Sequence, residues 1–206
     1  MTKPWHLLAC RGCGSAIVES ALVIAGVSYT REETDYETAA GLARLREVNP
    51  LGQVPAVSLP DGGVMTETAA IVLHLDELYP KAKLLPPPGD PLRREALRWL
   101  VFLVANIYPT FTYGDHPERF VGDAADRLRD GTHAYRQMLW KQVEGVAKEP
   151  WFLGDTRSIL DVYVGVMTRW RPGRAWFDAE CPKLMAIALE LDKDPRLVPV
   201  LDANFG

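Results

Sequence analysis

The sequence predicts an α/β domain at the N-terminus and an all-helical domain at the C-terminus. Short apolar runs of the length typical of strands occur before residue 80, where a stretch rich in proline begins. Beyond that stretch, strand patterns are absent and apolar residues recur at helical spacing. We therefore expect a first domain over residues 1–80, a stiff linker over 81–91 and a helical domain over 92–206.

The overall composition is that of an ordinary globular protein. The chain has 206 residues, of which 48% are hydrophobic and 24% are charged, and a net charge of −4. That charge gives no basis for binding nucleic acid or an anionic membrane. No apolar run is long enough for a membrane span, and the first one is too short for a signal peptide. With three cysteines and no export signal, we expect a reducing, cytoplasmic location.

The first half of the α/β domain alternates strands and helices. An apolar run at 5–9 predicts a strand, and apolar residues at helical spacing over 17–25 predict a helix that ends at Gly26. Residues 28–35 predict a second strand, parallel to the first across a right-handed crossover. Residues 38–47 then predict a short helix.

The second half of this domain begins with a predicted hairpin. The tripeptide Asp61-Gly62-Gly63 separates two short strand patterns, over 55–59 and 64–65. A helix is expected over 66–79. The resulting order, β-α-β-α-β-β-α, is that of a thioredoxin-like domain.

The second domain shows only helical patterns. A helical stripe covers 92–107, and further helices are expected around 117–147, 158–170 and 181–192. The segment Ser158-Ile159-Leu160-Asp161 heads an apolar run, which is typical of an N-terminal capping box. We expect it to start a buried helix.

Two segments of the first domain carry ligand-binding chemistry. The segment Asn49-Pro50-Leu51-Gly52-Gln53-Val54-Pro55 ends at an X-Pro bond, so Val54 is extended and its backbone polar groups can face a ligand. The segment from Met65 to Ile71 places Glu67 and Thr68 at a helix start, where free N–H groups suit a carboxylate. Together they suit a small peptide that has a free carboxylate and a free amine.

In order and separation these two segments resemble the glutathione transferase superfamily. The resemblance implies that Val54 pairs with the cysteinyl backbone of glutathione, that Pro55 is cis, and that Glu67 and Thr68 hold the γ-glutamyl end, with Gln53 as a side-chain contact. The capping box, with Gly154-Asp155 before it, resembles the corresponding segment of the family's helical domain. The implied protein is a cytoplasmic homodimer.

The family's catalytic positions are not matched. Members that use a tyrosine place it at the end of the first strand, where this chain has Leu8. Members that use serine or cysteine place it just before the first helix, at a position that falls on Gly12 here. The cysteine of the bacterial beta class falls on Gly14. The resemblance therefore implies the fold without implying which side chain does the chemistry.

The loop before the first helix contains other candidates, in Cys10-Arg11-Gly12-Cys13-Gly14-Ser15. Ser15 is either the N-cap of the helix or a hydroxyl donor to the glutathione sulfur. Cys13 lies where helix N–H groups stabilise a thiolate, and Cys10 lies nearer the strand. The Cys-x-x-Cys spacing also fits a redox dithiol. A zinc site with His6 lacks a fourth ligand, so we expect no metal.

We therefore predict a glutathione transferase that conjugates the glutathione thiol to a small hydrophobic electrophile, as in detoxification. The resemblance implies that aromatic residues of the second domain line the co-substrate pocket, although they equally fit core packing: Tyr108, Phe111 and Tyr113. Two alternatives stay open. One is a glutathione-dependent disulfide oxidoreductase using Cys10 and Cys13, and the other is a non-catalytic module that binds glutathione or a partner protein.

Overall fold

The computed structural model describes residues 3–206 and divides into two compact units. The first unit contains the residues up to Pro87 together with Glu190–Gly206, and the second contains Pro88–Leu189. The predicted boundaries, with a linker over 81–91, stay a prediction. The segment from Glu190 onward groups with the sheet, whereas the sequence pattern assigned it to the helical part.

The first unit is built on a four-stranded sheet with the order β2-β1-β3-β4. Strand β1 pairs in parallel with β2 and antiparallel with β3, which pairs antiparallel with β4. This arrangement confirms the predicted thioredoxin-like fold of the N-terminal domain, followed by a helical region. The strands are β1 (Trp5–Ala9), β2 (Tyr29–Glu33), β3 (Ala56–Ser58) and β4 (Val64–Thr66).

The first unit also contains helical elements, some of which pack on the sheet and others on a neighbouring helix. They are α1 (Ser15–Ala25), α2 (Ala39–Arg46), α3 (Thr68–Leu78), a 3-10 turn at Pro80–Ala82, and α11 (Val198–Phe205). Leu7 and Leu8 of the sheet and Ile17 and Leu22 of α1 are fully buried. Burying each such side chain contributes about 1.5–3 kcal/mol.

The end of α1 follows the sequence signal. Gly26 adopts the left-handed conformation, with φ 66°, that the predicted C-cap requires. Its N–H donates to the Val23 carbonyl at 3.1 Å, and the Val27 N–H donates to the Leu22 carbonyl at 3.0 Å. The helix therefore stops where the glycine allows the chain to turn toward β2.

The second unit is entirely helical. Its elements are α4 (Pro91–Phe102), a π turn at Leu103–Ile107, α5 (Tyr108–Asp115), α6 (Glu118–Val121), a 3-10 turn at Gly122–Ala124, α7 (Ala125–Val146), α8 (Ile159–Met167), α9 (Arg174–Glu180) and α10 (Pro182–Leu191), which ends just past the unit boundary. The π turn precedes Pro109, which has no N–H to donate back along the helix. The single helix expected around 117–147 is interrupted at Gly122.

The predicted capping box is present at the start of α8. The Ser158 hydroxyl accepts from the Leu160 N–H at 3.3 Å, and the Asp161 carboxylate accepts from the Ser158 N–H at 2.7 Å. Every residue of α8 is buried, as expected. Within residues 3–206, no helix is both long enough and apolar enough to span a bilayer.

Candidate functional site

The loop between β1 and α1 places its two cysteines at a helix start. The Cys13 N–H donates to the Cys10 carbonyl at 3.2 Å, and the Ala16 N–H donates to the Cys13 carbonyl at 3.1 Å. Cys13 thus lies two residues before the first residue of α1, Ser15. The positive end of the helix dipole favours negative charge at this position, so the location of Cys13 suits a thiolate.

Ser15 is not the N-cap, so that part of the prediction was wrong. Gly14 occupies the cap position, and no side chain caps the helix. The buried Ser15 hydroxyl accepts from the Cys10 N–H at 3.2 Å and donates to the Cys10 carbonyl at 3.0 Å. Because its only proton is used in this way, the hydroxyl ties the loop to α1 and has none left for a ligand sulfur.

The two loop cysteines form an unequal pair of reduced thiols. Both thiols lie within hydrogen-bond distance of the Arg11 carbonyl, Cys10 Sγ at 3.7 Å and Cys13 Sγ at 3.6 Å, and hydrogen bonding with Cys10 is the main cause that lowers the pKa of Cys13. The same hydrogen bond raises the pKa of Cys10 well above its usual range, and burial raises it further. The carboxylate of Glu33 opposes ionisation of both sulfurs. Cys13 is therefore the thiol of the pair that ionises more readily, and Cys10 is the one that keeps its proton.

Tyr36, which was not predicted from the sequence, contacts the Cys13 sulfur. The Tyr36 hydroxyl lies 3.6 Å from Cys13 Sγ and helps to lower the pKa of Cys13. The Cys13 thiol donates to this hydroxyl, and because burial raises the pKa of Tyr36, the hydroxyl keeps its proton and can donate to the sulfur once Cys13 is ionised. One signal was available, because β1 and β2 are parallel and the loops that follow them must meet at the same edge of the sheet.

We expect Tyr36→Phe to slow alkylation of Cys13 near neutral pH, because the thiolate loses a donor. Hydrogen bonds to charged groups are worth roughly 1.5–3 kcal/mol, so the expected slowing is about tenfold. The measurement is the rate of modification by iodoacetamide against pH, with the Cys13 midpoint moving upward. Tyr29→Phe is the matched control, since the Tyr29 hydroxyl bonds Glu19 instead. An unchanged pH profile in Tyr36→Phe would remove Tyr36 from the site.

Hydrogen bonds fix the loop between β1 and α1 to β2 and to the segment that ends at Gly206. The Arg11 N–H donates to the Glu33 carboxylate at 2.7 Å, and the Arg11 guanidinium bonds the Gly206 carbonyl. On α11, the buried Asn204 donates to Glu19 of α1 at 3.1 Å. The chain segment that ends at residue 206 thus fixes both the loop and the helix that carries its N–H groups.

The segment before β3 presents free backbone groups, as predicted. The Val54–Pro55 bond is cis, which the resemblance implied. The Asn49 amide donates to the Gln53 carbonyl at 2.9 Å and shapes the turn. The Val54 side chain packs on a buried cluster that includes Leu8. Within residues 3–206 the backbone N–H and C=O of Val54 form no hydrogen bond, so both are available to a ligand.

Glu67 has an unusual backbone conformation at the start of α3. It is the N-cap residue, with φ 66° and ψ 113°, a combination that costs a non-glycine residue roughly 1–3 kcal/mol. Thr68, the first residue of the helix, is buried. Such backbone strain is typical of functional sites. Here it places the exposed Glu67 carboxylate beside the free N–H groups of the first turn of α3.

Sheet register brings these three segments to one edge of the sheet. Leu8 pairs with Ala56, and Ala56 pairs with Thr66. The residues that follow Leu8 and Thr66 and those that precede Ala56 therefore lie side by side. They are the cysteine loop, the Val54–Pro55 bond and Glu67, which together form the candidate site.

Other residues named from the sequence have ordinary partners. The His6 ring bonds Thr30 and Glu32, both at 2.8 Å, rather than the cysteines. In the second unit, Trp170 packs against Tyr108 and Phe111 with ring centroids 5.9 and 5.3 Å apart. These rings form an aromatic cluster, and their role in a co-substrate pocket stays a prediction.

Comparison with known proteins identifies relatives of this chain. The family model described as "Glutathione S-transferase, N-terminal domain" matches residues 15–78. The uncharacterized GST-like protein YncG of Escherichia coli K12 is 37% identical over 196 residues, covering 94% of this chain and 95% of YncG. A glutathione transferase from Methylococcus capsulatus is similar in structure, with TM-score 0.78 and 27% identity over 97% of this chain and 98% of that one. A sphingomonad glutathione S-transferase complexed with glutathione has TM-score 0.78 and 25% identity at the same coverages.

Proposed function

The chain belongs to the glutathione transferase superfamily, and from this premise we propose that it is a glutathione-dependent enzyme whose nucleophile is Cys13. The observation that carries the proposal is the position of the Cys13 sulfur, which lies at the N-terminal end of α1 and 3.6 Å from the Tyr36 hydroxyl. A thiolate held in this way at a helix N-terminus is suited to thiol–disulfide exchange. Of the reactions open to the family, this geometry supports that one best.

Glutathione would bind across the edge of the sheet described above. The free N–H and C=O of Val54 would pair with its cysteinyl backbone, with the Gln53 side chain nearby. Glu67 would accept from its amino group, and Thr68 and the first N–H groups of α3 would hold the γ-glutamyl carboxylate. The sphingomonad relative was solved with glutathione, which supports this assignment.

The proposed reaction reduces a mixed disulfide between glutathione and another thiol. The Cys13 thiolate attacks the glutathione sulfur and forms a Cys13–glutathione disulfide, the mixed disulfide bond breaks, and the second thiol leaves as a thiolate that takes a proton from the solvent. A second glutathione thiolate then attacks the Cys13–glutathione disulfide, forming glutathione disulfide and returning Cys13 to its thiolate. Cys10, whose pKa is raised, acts by donating to Cys13 rather than by attacking.

A second candidate is conjugation of the glutathione thiol to a small hydrophobic electrophile. The Tyr36 hydroxyl favours it, because this group could hold the glutathione thiolate itself. Relatives whose names include glutathione S-transferase, such as GstA of Escherichia coli O157:H7 at 31% identity over 124 residues, also support it. This second proposal includes a hydrophobic co-substrate and a role in detoxification. It also includes a homodimer in the cytoplasm.

Two assays separate these functions. Reduction of a mixed disulfide of glutathione and a small thiol, followed by formation of glutathione disulfide, is expected of the thiol enzyme. Activity only toward a generic aromatic halide would instead establish conjugation. Activity in neither assay, with glutathione still bound, would identify a non-catalytic binding module.

We expect Glu67→Ala combined with Thr68→Ala to weaken glutathione binding at least about tenfold, since hydrogen bonds to charged groups are lost. The measurement is titration calorimetry on the folded double variant. Glu77→Ala is the matched control, because Glu77 is an exposed acid near the other end of α3. Unchanged affinity in the double variant would place the γ-glutamyl group elsewhere.

A further inference from the structure

The second unit contains a cavity of about 170 Å³ whose wall is rich in arginine. Its lining includes Arg129, Arg136 and Arg171, together with two aspartates and His133. This cavity lies within the helical unit and takes no part in the glutathione chemistry proposed above.

Arg136 is the buried member of this group. Only 2% of it is exposed, and its guanidinium donates to the hydroxyl and carbonyl of Thr110, both at 2.8 Å, and to the Arg171 carbonyl at 3.4 Å. It also lies 3.8 Å over the Phe111 ring. These contacts use three of its five N–H groups. Across residues 3–206, no carboxylate lies within ion-pair distance of Arg136, and Asp115, which attracts it from farther away, is paired with Arg171.

The rest of the wall does not neutralise this charge. Arg171 pairs with Asp115, which lies in the wall, whereas Arg129 pairs with the highly exposed Asp126, which lies outside it. Three guanidinium groups thus face two carboxylates, Asp115 and Asp130, around the cavity. Exposed pairs such as Arg129 with Asp126 are weak, so Arg129 can turn toward a ligand at little cost.

A glycine keeps the guanidinium of Arg136 in this position. A Cβ on Gly114 of α5 would lie 2.6 Å from the Thr132 hydroxyl and 3.3 Å from Nη2 of Arg136. Both neighbours belong to α7. Only a residue without a side chain lets α5 and α7 approach closely here while Arg136 keeps its bonds to Thr110.

We propose that this cavity binds a small oxyanion, a phosphate or a carboxylate, with Arg136 as its main ligand and Arg129 and Arg171 closing on it. The fixed fork of an arginine matches the paired oxygens of both groups. The cavity is large enough to hold such an anion. The anion would supply the direct ion pair that Arg136 does not form within the described residues.

Titration of the full chain with inorganic phosphate, and separately with succinate, tests this proposal. Both are compared with sodium chloride at equal ionic strength, by calorimetry and by thermal unfolding. Saturable binding of either anion, with a higher unfolding temperature, is the expected result, and the stronger of the two identifies the class. Saturation by neither would overturn the proposal.

Matched variants then locate the anion. Arg129→Gln removes a partly exposed arginine of the wall and should weaken binding roughly tenfold. Arg127→Gln makes the same charge change on the same helix outside the cavity and should leave affinity unchanged. Arg136→Lys keeps the charge but loses the fork, so a folded variant should bind more weakly than the parent. Equal effects of Arg127→Gln and Arg129→Gln would show only long-range attraction and would overturn the site.

Discussion

Cys13→Ser is expected to reduce the rate of glutathione mixed-disulfide reduction by at least about 10³-fold, because a serine hydroxyl cannot form the disulfide intermediate. The assay measures formation of glutathione disulfide at saturating glutathione. Glutathione binding should persist in calorimetry, since the substitution does not touch Val54 and Glu67, the residues proposed to bind the peptide. The variant thus separates the chemical step from binding.

The neighbouring thiol gives the control for this variant. Cys10→Ser keeps a donor beside Cys13 and should retain most of the activity, whereas Cys10→Ala should raise the pKa of Cys13 and shift the pH profile upward. Ser15→Ala should chiefly loosen the loop, because its hydroxyl bonds only Cys10 backbone groups. Full reductase activity in Cys13→Ser would exclude Cys13 as the nucleophile.

Elements with local signals were predictable from the sequence. The helix before Gly26 and the hairpin at Asp61-Gly62-Gly63 follow from residues that stop or turn the chain, and both are present. The grouping of α11 with the sheet was not predictable. It depends on contacts such as Asn204 with Glu19, which are 185 positions apart and leave no periodic trace in the sequence.

In the candidate site, too, features with a local sequence signal were predictable and those that depend on tertiary contacts were not. The cis Val54–Pro55 bond and the position of Glu67 at a helix start could be read from two short segments. The role of Ser15 could not, because whether its hydroxyl caps the helix or bonds Cys10 depends on how the preceding loop folds back. Tyr36 was missed for a related reason, since it contacts Cys13 only through the pairing of β1 with β2.

Asp161→Ala is expected to lower the free energy of unfolding by about 3–5 kcal/mol. The carboxylate is fully buried and accepts from the N–H groups of Phe152 and Ser158, both at 2.7 Å. Alanine leaves two buried donors without acceptors, at a cost of about 1–3 kcal/mol each, and removes half of the capping box. Chemical denaturation measures the change, and Asp155→Ala, at an exposed position of the same loop, should have little effect.

The pH dependence of this stability has a definite sign. Burial raises the pKa of Asp161 to about 6, against the opposing effects of its backbone donors and of Arg157. The pKa of Asp161 is higher in the folded protein than in the unfolded chain. The stability that Asp161 contributes is therefore fully present below about pH 4 and is lost as the pH rises through about 6. Asp161→Asn cannot titrate, so the stability difference between the parent and this variant should shrink from pH 4 to pH 7. A difference that stays constant over this range would show that the Asp161 carboxyl is already ionised in the folded protein at pH 4.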